Sequence, residues 1–152
     1  MKIVFIEYSI AQKSIDIFLS GCLPPFCDGC CNPELQSFEV GEEYSEQTIN
    51  NIKKYIQDYD NLIDNIFIVG GEPLHQDIYA LRHLLRESSL LNKKIWLFTR
   101  LNLEDVPNNI KCYCDYIKIG KYDKELLTDD NIQFNIKLAT SNQIIYKKGI
   151  DY

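Results

Sequence analysis

Two rhythms of apolar residues alternate along the chain. Residues 2–8 and 14–19 are rich in Ile, Val and Phe and predict two strands. Residues 45–59 carry Ile49, Ile52 and Ile56 at helical spacing behind Ser45, a residue type that caps helix N-termini, and predict a helix. A short apolar run over 65–69, ended by Gly70 and Gly71, predicts a buried strand. A second helix is predicted over 77–90, with Ile78, Leu81, Leu84 and Leu85 on one face, then a strand over 94–99. Residues 103–106 make at most one helical turn before Pro107. A strand over 115–119, a short helix over 123–127 and terminal strands over 133–138 and 143–147 complete the series. Residues 21–35, punctuated by Pro24, Pro25, Gly29 and Pro33, read as a loop.

Strands alternating with helices predict an α/β fold with a mostly parallel sheet. About five or six strands fall short of a closed eight-fold barrel, which needs roughly 200 to 250 residues. A barrel built from this chain would be incomplete and open on one side.

At 152 residues the chain suits a single domain spanning 1–152, and with 45% hydrophobic residues it can bury a core. Its 22 acids outnumber its 16 bases, for a formal charge of −6. That surplus gives no general attraction for nucleic acid or an anionic membrane. No apolar stretch approaches the roughly 20 residues of a spanning helix, and the N-terminus reads as a strand, not a signal peptide. A cytoplasmic protein is expected. Glu42, Glu43, Glu46, Asp129 and Asp130 read as solvated surface.

Six cysteines change the picture, because four of them, Cys22, Cys27, Cys30 and Cys31, fall within ten residues. With no export signal, metal or redox chemistry is the better reading than a disulfide framework. Three thiolates on one tight loop can hold three corners of a cubane iron–sulfur cluster and leave a fourth iron open to a small molecule. The alternatives are a structural zinc site, with Cys27 and Cys30 as one half and Cys112 and Cys114 as the other, or buried free cysteines. Cys112 and Cys114 flank Tyr113, so on a strand both would face one side, as core cysteines. Next comes Val69-Gly70-Gly71-Glu72-Pro73, at the end of a predicted strand. Two glycines admit close backbone approach, and a carboxylate beside them can bind an ammonium group. His75 reads as a structural residue of that turn.

Taken in order, these motifs resemble those of the activating proteins of anaerobic ribonucleoside-triphosphate reductases, within the radical S-adenosylmethionine (SAM) superfamily. The residues that carry the likeness are Ser20-Gly21-Cys22, Cys30-Cys31-Asn32-Pro33-Glu34, Gly70-Gly71-Glu72-Pro73-Leu74-His75 and Trp96-Leu97-Phe98-Thr99. Asp115-Tyr116-Ile117, Gly120-Lys121-Tyr122 and Ser141-Asn142-Gln143 extend it toward the C-terminus.

The resemblance implies a small incomplete (β/α) barrel of the radical SAM type. It implies a 4Fe–4S cluster on Cys22, Cys27 and Cys30, and SAM held near Gly70, Gly71, Glu72, Thr99 and Arg100. It also implies one electron from a flavodoxin-like or thiol donor, and a 5′-deoxyadenosyl radical that makes a glycyl radical on a large partner reductase. A radical SAM enzyme acting on another protein or peptide, and a zinc-stabilised binding module, are the alternatives. The chain departs from the family pattern in several places. Four residues, Leu23 to Phe26, separate the first two cysteines where the family has three. Cys31 stands where an aromatic residue or His is usual, Thr99-Arg100-Leu101 replaces Thr-Gly-Tyr, and Ile119 replaces an Asp.

Overall fold

The computed structural model describes all residues, Met1–Tyr152. The chain opens with β1 (Lys2–Ser9), β2 (Ser14–Leu19) and the two-residue β3 (Glu42–Glu43). Next come α1 (Glu46–Asp58), β4 (Asn65–Gly70), α2 (Ile78–Ser89), β5 (Lys94–Phe98), α3 (Asn108–Lys111) and β6 (Tyr116–Ile119). The short β7 (Ile132–Gln133) and β8 (Ile136–Lys137) precede β9 (Ile144–Lys147). Seven strands form one sheet in the order β3-β1-β2-β4-β5-β6-β9. Its centre, β2-β4-β5-β6, is parallel. Flanking it, β1 and β9 run antiparallel to their neighbours. With β3 and β9 at its edges, the sheet is open.

Strand alternation sorts the side chains onto two faces. Ile15, Ile17, Leu19, Ile66, Ile68, Ile95, Leu97 and Ile117 face the helices and join Ile49, Ile52, Ile56, Leu81, Leu84 and Leu85 in one core. Both long helices begin on side-chain caps, Ser45 as the sequence predicts and Asp77 as the structure adds. The Ser45 side chain accepts from Thr48 N–H in a capping box, and the Asp77 carboxylate accepts from Ala80 N–H at 2.8 Å. On the opposite face Phe67, Trp96 and Ile145 pack with Ile136 and Leu138. The β7–β8 hairpin covers this end. Toward β1 the same face stays open, with Phe5 stacked on Phe18 at 4.2 Å and 43% exposed.

Two expectations need correction. The strand predicted over 133–138 is broken by Phe134 and Asn135, both at positive φ, and folds into the β7–β8 hairpin. Cys112 and Cys114 do not alternate on a strand. Pro107 starts the one-turn helix α3, Cys112 caps its end, and the chain turns before β6. Cys112 is therefore exposed, while Cys114 is buried in the core and burial pushes its thiol pKa up. The acids at 42, 43, 46, 129 and 130 are exposed, as expected. No helix is long and apolar enough to cross a membrane.

Candidate functional site

The four parallel strands run the same way, so their carboxyl ends share one edge, where ligands collect in such sheets. The cysteine loop leaves β2 there. The Gly70-Gly71-Glu72 turn leaves β4 beside it, Thr99 and Arg100 follow β5, and Lys118 sits near the end of β6.

The glycines set how tightly these pieces meet. A Cβ on Gly70, whose φ is +101°, would lie 2.3 Å from the Leu19 carbonyl oxygen, and one on Gly71 would lie 2.6 Å from that of Gly21. Backbone fills the space a side chain would need, which presses the β4 turn against the root of the cysteine loop. Hydrogen bonds tie that root further. Gln76 Nε2 donates to Ser20 and Gly21 carbonyls at 2.7 and 3.2 Å. Glu72 N–H donates to Gly21 O at 3.0 Å, and Cys22 N–H to Gln36 O at 2.9 Å. Leu23 N–H donates to His75 Nδ1 at 2.8 Å. Farther along, Asp28 pairs with Lys124 at 2.6 Å, so the loop reaches across to the segment after β6.

Glu72 is 2% exposed. Its Oε1 accepts from Thr99 Oγ1 at 2.6 Å and Leu74 N–H at 3.0 Å, and its Oε2 accepts from Arg100 N–H at 2.8 Å. Three donors satisfy a carboxylate whose burial would otherwise be costly. The Arg100 guanidinium donates to the Pro25 carbonyl at 2.7 Å and to the Leu23 carbonyl.

Cys22, Cys27 and Cys30 are half-buried, Cys31 is exposed, and all four are free thiols. Burial raises the Cys22 pKa. Glu72 N–H and the Arg100 cation oppose that rise, and the charges of Glu72 and Cys30 add to it. Burial lowers the His75 pKa, with Glu72 opposing and Arg100 assisting. The half-buried Lys118 ammonium donates to the Gly120 carbonyl at 2.9 Å and lies within electrostatic reach of Glu72, Cys27 and Cys31, and burial brings its pKa down to about 8. Lys118 was not among the residues singled out from sequence. Its signal is a lysine in an otherwise apolar Tyr-Ile-Lys-Ile strand, on the face opposite the helix-packed Ile117 and Ile119.

Cys112 and Cys114 precede β6 and so lie at its amino end, a strand's length from the cysteine loop. The split zinc site joining the two pairs is not formed. The loop thiols suit a thiolate-ligated cluster by their chemistry, as several soft donors on one segment, partly shielded from water and within electrostatic reach of the Lys118 cation, although the structure does not gather three of them into a metal-holding group.

The family model described as "4Fe-4S single cluster domain" matches residues 13–146. The chain belongs to that 4Fe-4S single cluster domain family. The match runs from the start of β2 into β9, so the family unit contains the parallel sheet, the cysteine loop and the Gly-Gly-Glu turn. No curated protein matches the chain. Among solved structures, QueE from Escherichia coli aligns over 76% of this chain and 69% of its own, at 17% identity and a TM-score of 0.46.

Proposed function

We propose that this 4Fe-4S single cluster domain is a radical SAM activase that generates a glycyl radical on a large partner enzyme, an anaerobic ribonucleotide reductase. The observation that carries this reading is the seating of the cysteine loop against the Gly-Gly-Glu turn, at the carboxyl ends of the parallel strands. When bound, a cubane with one iron free of protein ligands takes SAM and, given an electron from a flavodoxin-like or thiol donor, supplies a 5′-deoxyadenosyl radical.

The chain's own residues prepare that chemistry. Cys22, Cys27 and Cys30 are the proposed ligands. Lys118 offsets the negative charge that thiolates bring to a partly buried site. Glu72, buried and bound by three donors within the protein, would fix the Thr99 hydroxyl and the Arg100 backbone beside the SAM site. The Gly70 and Gly71 backbone and the segment at Thr99 and Arg100 would line the rest of the SAM site. Phe18, Val69 and Phe98, all half-buried, lie on the sheet face beside it, and with Phe5 exposed on the same face a partner's glycine loop would have an apolar surface to approach.

The test is anaerobic reconstitution, followed by incubation with SAM, a reductant and an anaerobic ribonucleotide reductase. The expected results are a brown protein with about four irons per chain, 5′-deoxyadenosine formation and a glycyl radical signal. Deoxyadenosine without that signal would move the target to another protein or peptide. A colourless protein holding one zinc would end the reading.

A further inference from the structure

Four residues, Leu23-Pro24-Pro25-Phe26, separate Cys22 from Cys27, and every one of them is exposed. No core contact therefore holds this segment. Its two prolines carry no N–H, so it is poor in donors for turn bonds of its own. Two side chains from neighbouring turns hold it: His75 Nδ1 accepts from Leu23 N–H, and the Arg100 guanidinium donates to both the Leu23 and the Pro25 carbonyls. Arg100 is anchored at its backbone, where its N–H donates to buried Glu72. A planar guanidinium can serve two carbonyls at fixed separation, whereas an ammonium is a single point charge.

We infer that Arg100 is a positioning residue that restricts the segment between Cys22 and Cys27 ahead of cluster assembly. This rests on the cluster reading above. The guanidinium narrows the conformations of the segment before metal arrives, which leaves less ordering to be done as the thiols close on the cluster. Arg100 acts through the loop backbone and touches no reacting atom.

The test compares the wild type with R100G and R100K. All keep the backbone N–H that donates to Glu72. Two readouts are taken. The first is hydrogen exchange of the Cys22 and Leu23 amides, which donate to Gln36 O and His75 Nδ1, in metal-free protein. The second is iron per chain after anaerobic reconstitution at limiting iron.

R100G should speed exchange at these amides about tenfold and lower iron loading several-fold. R100K should not restore either. Wild-type exchange and loading in R100G would overturn the inference, as would full rescue by R100K. If wild-type protein takes up no cluster, the cluster reading fails, while the exchange comparison still decides whether Arg100 holds the loop.

Discussion

Thr99, just after β5, donates its hydroxyl to the carboxylate of Glu72, just after β4, at 2.6 Å, with both side chains shut off from water. The bond stitches two neighbouring parallel strands at the end where the cysteine loop sits. Thr99 Oγ1 also accepts from Leu101 N–H at 3.1 Å, so one hydroxyl closes the turn after β5 and satisfies a buried charge. Thr99→Val removes a donor and an acceptor while nearly keeping the volume. The expected cost is about 1–3 kcal/mol, the range for stranding buried polar partners. It should appear as a lower urea midpoint with an unchanged slope, and the variant should load less iron than wild type. An unaltered midpoint would mean that the latch carries no stability.

Gly71→Ala tests how closely the β4 turn packs on the cysteine loop. The new Cβ would meet the Gly21 carbonyl oxygen at 2.6 Å and the Gly21 nitrogen at 2.8 Å, and backbone cannot swing aside as a side-chain tip can. Overpacking of this kind costs about 1–3 kcal/mol. Thermal unfolding should show the loss, and anaerobic reconstitution should show reduced iron per chain. Normal loading with a normal Tm would mean that the two loops have room to separate.

The helices and parallel strands are legible in the sequence because period and caps agree there. Ile49, Ile52 and Ile56 follow Ser45, and Leu81, Leu84 and Leu85 follow Asp77, so local preference and core burial point the same way. The β7–β8 hairpin is hidden because its turn places Phe134 and Asn135 in the left-handed region without the glycine that normally marks such a turn. Cys112 and Cys114 mislead because a two-residue interval is shared by strands and irregular turns. At the site, the motif residues are legible but their partners are not. Glu72 meets Thr99 and Arg100 only because parallel pairing brings the ends of β4 and β5 together. Lys118 escapes notice because alternation shows that it faces away from Ile117, not that this face carries the thiols.

The cysteine register gives a discriminating series. Cys22, Cys27 and Cys30 are half-buried while Cys31 is exposed. Cys22→Ser, Cys27→Ser and Cys30→Ser should each abolish a stable four-iron cluster, and Cys31→Ser should retain it. Iron analysis and visible absorption of reconstituted protein read the outcome. Loss in Cys31→Ser with retention in Cys30→Ser would move the third ligand by one position.

Lys118 should set the reduction potential. Its ammonium lies near Cys27 and Cys31, and its pKa of about 8 leaves it largely charged at pH 7. A positive charge favours the state with one more electron, so Lys118→Met should make the cluster harder to reduce. The expected shift is on the order of 50 mV in the negative direction, about 1 kcal/mol for one electron. A redox titration followed by EPR measures it, and an unmoved potential would mean that the ammonium is screened from the cluster.

Asp16 makes the opposite kind of contribution, visible in stability alone. It lies on the sheet face turned away from the helices, paired across strands with Glu7, and Ser14 Oγ donates to it. Burial raises its pKa above the usual 3.8, the Ser14 hydroxyl opposes the rise, and the Glu7 charge adds to it. A raised carboxyl pKa means that the folded state binds more protons than the unfolded state between 3.8 and the folded value. Stability therefore falls as pH rises through that window, and the penalty is complete above it. Asp16→Asn removes the charge and keeps an acceptor for Ser14. It should raise Tm at pH 7 and lose that advantage below about pH 4, where both proteins carry a neutral group. Glu7→Gln should reproduce a smaller part of the gain at pH 7, because it relieves the repulsion and leaves the burial. Melting curves at the two pH values decide the matter: a gain at pH 7 that persists undiminished at low pH would assign the effect to packing instead of ionisation.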